Sequence, residues 1–324
     1  MTDLVTLSHL TKRFTQSGGL LKLARTMTAV RDVSLSLAAG SVTGVVGESG
    51  CGKSTLGRLA LRLIDPTEGQ VLHGGTDLTA LSGKELRLAR RDMAMVFQDP
   101  YSSLDPRYTL ADVLAEPYRV QGLPLPPGRI EELLSQVGLS ASLAGAYPHQ
   151  LSGGQRQRAG IARALALQPK FIVLDEPTAS LDVSIQAQII ALLQDLRARL
   201  GLTYLFISHD LGLVRYFCER IVVMYLGSVV EDLPSPTAKP RHPYTATLMA
   251  SNFTPDPTQR KELSALTGEI PSAFNLPKGC AFAARCSRAL PRCTQDSPAL
   301  HKDGSSHAVA CWNPIAGEKV SGHP

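Results

Sequence analysis

A chain of 324 residues with 44% hydrophobic and 19% charged side chains can bury a sizeable core, and it is long enough for one large domain and a smaller one. Its net charge of +5 is too mild to argue for nucleic-acid binding without a basic stripe, and its hydrophobic content excludes general disorder. The opening "MTDLVTLSHL" lacks a charged stretch followed by an apolar one, and no run nears the roughly 18 apolar residues that span a bilayer. A soluble protein of the cytosol is expected, where structural disulfides are disfavoured.

Residues 1 to about 85 read as strands and turns around one glycine-rich loop. "SLSLAAGSVTGVVG" predicts a strand, a turn at Ala39-Gly40 and a buried strand from Val42 to Val46. The next segment, "GESGCGKS" from Gly47 to Ser54, fits the phosphate-binding pattern G-x-x-x-x-G-K-[ST] and runs into "TLGRLALRLI", which has helical spacing. Glycines there let backbone N–H groups curl around phosphate oxygens, and the helix start adds its positive dipole end. Gly47, Glu48, Ser49, Gly50, Cys51, Gly52, Lys53, Ser54 and Thr55 are thus the expected nucleotide-binding loop, of a kinase, a GTPase or a motor. Lys53 would neutralise phosphate charge, and the Ser54 hydroxyl would ligate Mg2+.

From about 86 to 165 the pattern turns helical, interrupted by "GLPLPPG" at 122–128. "RIEELLSQVGL" spaces Ile130, Leu133, Leu134 and Val137 as one helix face, with Gly138 as its stop. From 166 to 233 strands alternate with helices, which predicts a mainly parallel sheet covered by helices. One of those helices should carry Ile185, Ile189, Leu192, Leu193, Leu196 and Leu200 on one stripe and close at Gly201. In "FIVLDEP" a buried strand delivers Asp175 and Glu176 at its C-terminal end, where α/β sheets bind ligands. Asp175 is read as a Mg2+ ligand and Glu176 as the general base that polarises the attacking water. After "EDLPSPTAKPRHP" the composition shifts to Pro, Gly and Cys, so the expected division is 1–235 and 236–324.

"LSGGQRQR", Leu151 to Arg158, resembles the signature of ATP-binding cassette (ABC) ATPases, and its Gln155 precedes Asp175 by 20 residues, as in that family. Three further segments are similar to the family's. Gln98 in "VFQDP" sits where its Q-loop ligates Mg2+ and senses the membrane partner. "SLD", Ser180 to Asp182, resembles the D-loop, and His209 in "FISHD" the switch histidine that contacts the γ-phosphate. Phe14 in "LTKRF" is read as stacking on adenine. The resemblance covers roughly residues 4 to 233. It implies an α/β fold with a RecA-like core, an antiparallel β subdomain and a helical subdomain around 90 to 165. It also implies that Ser152, Gly153, Gly154, Gln155 and Asp182 contact the ATP of a second cassette.

"RHPYTATLMAS", "LTGEIPSAFNLPKGCAFAARC" and "HAVACW" resemble the C-terminal region of ATP-binding subunits from dipeptide, oligopeptide and nickel importers. "GESGCGKSTLGR" and "FQDPYSSLDPR" look more like the second of that family's two paired ATPase subunits. The resemblance implies a paralogous ATPase partner in a heterodimer, two integral membrane permeases and an extracytoplasmic substrate-binding protein. It places the chain peripherally on the cytoplasmic face of the inner membrane, with ATP and Mg2+ driving peptide import. Nickel or another small solute is the alternative cargo. A soluble ABC ATPase acting on nucleic acid is the reading from another class. Against it, the tail's Arg285, Arg288 and Arg292 lack interleaved aromatics for base stacking.

Cys280, Cys286, Cys293 and Cys311 are separated by 5, 6 and 17 residues, which matches neither close zinc pairs nor a ferredoxin run. On spacing alone, a metal site and reduced thiols both stand. The resemblance implies a four-iron four-sulfur cluster (4Fe-4S) on these four, with zinc and buried thiols as alternatives. His301 and His307 lie nearby and are expected to be solvated, and Cys218 is expected in the core.

Overall fold

The computed structural model describes residues 2–16, 25–99, 103–250, 271–302 and 306–316. Strands β1 (Asp3–Gln16), β2 (Arg25–Ala38), β4 (Glu68–His73) and β5 (Thr76–Asp77) form an antiparallel sheet in the order β2-β1-β4-β5. A second sheet holds β3 (Val42–Val46), β6 (Met93–Val96), β7 (Phe171–Asp175), β8 (Thr203–Ile207), β9 (Arg220–Tyr225) and β10 (Ser228–Leu233). It is completed by β11 (His301–Lys302) and β12 (Ala308–Val309), in the order β11-β12-β10-β9-β3-β8-β7-β6. The five strands from β9 to β6 run parallel, as expected, and the remaining three pair antiparallel.

Every residue of β3, β7 and β8 is buried, because both faces of the sheet are covered. The two-residue strand period divides their side chains between two cores. Phe171, Val173, Leu205 and Ile207 face the antiparallel sheet and helix Lys53–Ala60. Ile172, Leu174, Tyr204 and Phe206 face the helical part and the C-terminal extension. Helix Lys53–Ala60 lies so close to the sheet that a Cβ on Gly57 would come within 2.9 Å of Ile207 and Val173.

Helices Leu110–Gln121, Arg129–Gln136 and Gly153–Leu165 build the helical part. Ile130, Leu133, Leu134 and Val137 are buried as their spacing predicts, and Gly138 follows with φ 70°. Buried Arg129 donates to the carbonyls of Leu165 and Ala166 and so satisfies groups at the end of helix Gly153–Leu165. Helix Val183–Leu200 ends at Gly201 as expected, with φ 65°. Its stripe needs one correction: Leu200 is 45% exposed, whereas Ile190 is buried. The helix keeps its bond from the Gly201 N–H to the Arg197 carbonyl, but its last turn faces solvent.

The C-terminal extension adds to the same body. β12 pairs with β10 through Glu231↔Val309 and Asp232↔Ala308. The side chain of Glu231 is fully buried, and it accepts from the backbone N–H groups of Arg241 (2.6 Å) and His242 (3.1 Å) and from His307 Nε2 (2.8 Å). His307 is therefore a half-buried partner and not the solvated residue expected, while His301 is exposed. Tyr225, Tyr244 and Phe282 pack ring against ring at centroid distances of 4.7–5.4 Å, with His242 at 5.9 Å from Phe282.

His242 is almost wholly buried, and burial pushes its imidazole down to about 4 from an ordinary 6.5. The neutral ring fits its geometry, since Nδ1 accepts from the Tyr244 N–H at 3.1 Å. The unfolded chain takes up this proton below 6.5 and the fold resists it down to about 4, so stability falls as pH drops through that window. The loss should approach about 3 kcal/mol at the low end. Urea melts at pH 7 and pH 4.5 test this: His242→Asn should flatten the difference, and an equal pH slope in the variant would refute it.

Candidate functional site

The expected loop follows β3 and opens helix Lys53–Ala60. Gly47 (φ 151°) and Gly52 (φ 103°) hold backbone conformations that suit glycine. A Cβ at either would also strike backbone, 2.2 Å from the Met224 carbonyl oxygen and 2.2 Å from that of Ala29. Buried Lys53 donates from Nζ to the carbonyls of Gly47 (2.8 Å) and Glu48 (3.0 Å), which folds the loop over its own lysine. Cys51 is buried beneath, and burial raises its thiol. Ser49, Gly50 and Thr55 complete the loop and the first turn, with Ser49 and Thr55 partly exposed.

Parallel strands bring the other groups to the same end of the sheet. Ser54 Oγ donates to Asp175 Oδ1 at 2.8 Å, across 121 residues of sequence. Asp175 is only 3% exposed; burial raises its carboxyl above the usual range, and Ser54, Arg58 and Lys53 pull it back. Glu176 sits with φ 47°, a strained conformation for a non-glycine residue that fixes its carboxylate. Glu176 Oε2 accepts from Gln98 Nε2 at 2.9 Å and lies 3.2 Å from His209 Nδ1. Lys53, Ser54, Gln98, Asp175, Glu176 and His209, which came from four separate sequence segments, thus meet at one place.

A second group surrounds the signature. Ser152 caps helix Gly153–Leu165 by accepting from the Gln155 N–H, and Gln155 Oε1 accepts from the Ser152 N–H in return. A Cβ on Gly154 would sit 2.9 Å from Ile185 Cγ2, so this helix start packs closely on helix Val183–Leu200. Asp182 caps that second helix through the Ile185 N–H at 2.9 Å, a bond that holds its exposed carboxyl below the usual range. Phe14 is partly exposed on β1, with Lys12 Nζ 5.1 Å from its ring centre. A cavity of about 800 Å³ connects Ser54, Gln98 and Asp175 to Glu116, Val120 and Arg163 of the helical part.

Two residues of this region were not marked by sequence reasoning. Tyr244 Oη accepts from the Glu48 N–H at 2.9 Å, and the Arg285 guanidinium grips the Glu48 carboxylate with two bonds of 2.8 and 2.9 Å. Arg285 is therefore not part of a basic surface, since its side chain is 5% exposed. Arg292 lies 3.6 Å over the Trp312 ring, and Arg288 reaches Asn313. Tyr244 left only a weak signal, as one aromatic among several in the tail, and Arg285 left none beyond its position between two cysteines.

Cys280, Cys286, Cys293 and Cys311 all belong to the extension, and all are unbridged. The Cys280 N–H donates to the Cys293 carbonyl at 2.8 Å, and a Cβ on Gly279 would collide with that same carbonyl at 2.2 Å. Burial raises the thiols of Cys280, Cys286 and Cys311; backbone N–H groups nearby lower them, and neighbouring thiols of the set raise them. Backbone N–H groups of Leu290 and Asn313 point at the sulfurs of Cys293 and Cys311, each at 3.4 Å. Among the described residues no three His, Cys, Asp or Glu side chains are close enough to hold one metal ion. Cys218 is buried in the core as expected. No helix among the described residues is long and apolar enough to cross a membrane.

A glycine-rich loop on a parallel strand, an acid pair on its neighbour but one, and a Ser-Gly-Gly-Gln helix start define an ABC-type ATPase. The ABC transporter family matches residues 30–179, and the oligopeptide/dipeptide transporter C-terminal region matches 237–293. The chain belongs to the ABC transporter family and carries the C-terminal region of its oligopeptide/dipeptide branch. It is 46% identical to a putative peptide import ATP-binding protein of Brucella ovis, over 96% of this chain and 98% of the relative. It is 48% identical to the oligopeptide transport ATP-binding protein AppF of Bacillus subtilis, over 91% and 92%. Its fold resembles the ATP-binding cassette MJ0796 in a dimeric post-hydrolysis state bound to ADP and Pi. That likeness has a TM-score of 0.63 and 32% identity, over 72% of this chain and all of the other.

Proposed function

We propose that this chain is the ATP-hydrolysing subunit of an importer of dipeptides or oligopeptides, and the second of two paired ATPases. Similarity to peptide-import ATP-binding proteins over almost the whole chain, extension included, carries this reading. The ATP phosphates lie in the loop from Gly47 to Thr55, with Lys53 neutralising their charge and Phe14 stacking on the adenine. Ser54, Gln98 and Asp175 are the residues that would hold Mg2+, which neutralises phosphate charge when bound. They suit it: a hydroxyl, an amide and a buried carboxylate are hard oxygen donors. Glu176 takes the proton of the attacking water, His209 steadies the developing γ-phosphate charge, and Gln98 orients the Glu176 carboxylate.

Ser152, Gly153, Gly154, Gln155 and Asp182 face the nucleotide of the paralogous partner, with which the chain forms a heterodimer. The cavity that opens beside Gln98 supports contact with the two permeases, fed from outside by a substrate-binding protein. The chain would sit peripherally on the cytoplasmic face of the membrane. Residues 1–235 form the cassette and 236–324 the extension. Cys280, Cys286, Cys293 and Cys311 fit an iron–sulfur cluster better than a single ion. The reading is supported by the thiols being unbridged, by the Cys280 N–H bonded to the Cys293 carbonyl, and by the softness of thiolate ligands.

Uptake of a labelled tripeptide by the host, with and without this gene, tests the function. Loss of uptake that returns with the intact gene is expected. Unchanged peptide uptake with lost nickel accumulation would instead assign the machine to nickel.

A further inference from the structure

Glu48 is the first residue of the phosphate-binding loop after Gly47, and all three of its polar groups are engaged. Its N–H donates to Tyr244, its carbonyl accepts from Lys53, and its carboxylate is gripped by Arg285. Two of those three partners come from the extension, 196 and 237 residues away. Arg285 is itself held: it bonds Tyr225 Oη at 3.2 Å and lies about 6 Å from the ring centres of Tyr225 and Phe282. The loop's own lysine is taken up by backbone carbonyls, so among the described residues only Arg285 offers the Glu48 carboxylate a cation. Without it, a carboxylate charge would stand beside the place where triphosphate charge must gather.

We propose that Arg285 is a positioning residue of the nucleotide site, neutralising Glu48 and, with Tyr244, holding the first turn of the phosphate loop. The extension thereby sets the cassette's affinity for ATP. The inference rests on the assignment of Gly47–Thr55 as the phosphate loop.

Steady-state hydrolysis by the full chain separates the possibilities. Arg285→Ala should raise the KM for ATP by about tenfold while kcat at saturation stays within about twofold, a split that marks lost ground-state binding. Arg285→Lys, which keeps the charge but not the two-pronged grip, should recover part of that loss. Adding Glu48→Gln to Arg285→Ala should bring KM back down, because it removes the uncovered charge. A general loosening of the fold would make the double variant worse than the single one. An unchanged KM in Arg285→Ala, or a double variant weaker than Arg285→Ala, overturns the proposal. If Arg285→Ala does not fold, Arg285→Lys decides alone: an unchanged KM overturns the proposal, and a raised KM with intact kcat upholds it. Lys53→Ala is the control. Normal ATP binding there would reject the phosphate-loop assignment itself, whereas lost binding there with an unchanged Arg285→Ala would reject only the role of Arg285.

Discussion

Glu176→Gln should lower ATP turnover at saturating substrate by on the order of 10²- to 10⁴-fold, the range for loss of a positioned general base. The amide is nearly isosteric, so the fold and the neighbouring Gln98 and His209 stay in place, and ATP affinity should remain close to that of the parent. What disappears is the carboxylate that both Gln98 and His209 address, at 2.9 and 3.2 Å. The left-handed backbone of Glu176, φ 47°, indicates that the chain accepts strain to aim this one group. ATP should be trapped unhydrolysed, and paired cassettes should persist in size-exclusion chromatography with ATP. Turnover within a few-fold of the parent would remove Glu176 from the role of base.

Purification without oxygen should yield iron and acid-labile sulfide in near-equal, several-fold amounts per chain, and Cys286→Ser should lose both. The expectation follows from the state of the thiols. Three of them are raised by burial and by neighbouring thiols of the set, which places the four in one region of the extension. The backbone N–H of Asn313, directed at the Cys311 sulfur, favours thiolate there, which is the form that binds metal. Zinc in place of iron, or no metal, would leave the ATPase assignment standing. It would make the cysteine region a packing element built on Tyr244 and Phe282.

The groups that a linear pattern could reveal were those fixed by local chemistry. The loop from Gly47 to Ser54 needs glycines at set intervals, and Asp175 needs an apolar strand before it, so both could be read before any fold was known. The resemblance to ABC ATPases then ordered Gln98, Ser152, Asp182 and His209, which local pattern alone would leave as surface polar residues. Long-range partners left no such trace. Glu48 and Arg285 are 237 residues apart, and neither residue type nor period signals that they meet. Glu231 carries no mark in the sequence, yet it is fully buried because three donors from elsewhere in the chain converge on it. His307 was misread for the same reason. The shift from Leu200 to Ile190 is smaller: hydrophobic spacing shows that a helix has a buried face, but tertiary packing decides where that face ends.

The pairing of β10 with β12 has a consequence for synthesis. His307, beside β12, is 76 residues beyond Glu231, and a ribosome adding about 5–20 residues per second needs roughly 4–15 s to cover that stretch. For those seconds β10 is the open rim of a nascent sheet, with unpaired amides that other chains could join. Two acids in succession, Glu231 and Asp232, sit on that strand and are buried once it is complete. Before then, their charge makes pairing with a foreign strand costly. Glu231, which later anchors the extension, therefore also guards the unfinished protein against its neighbours.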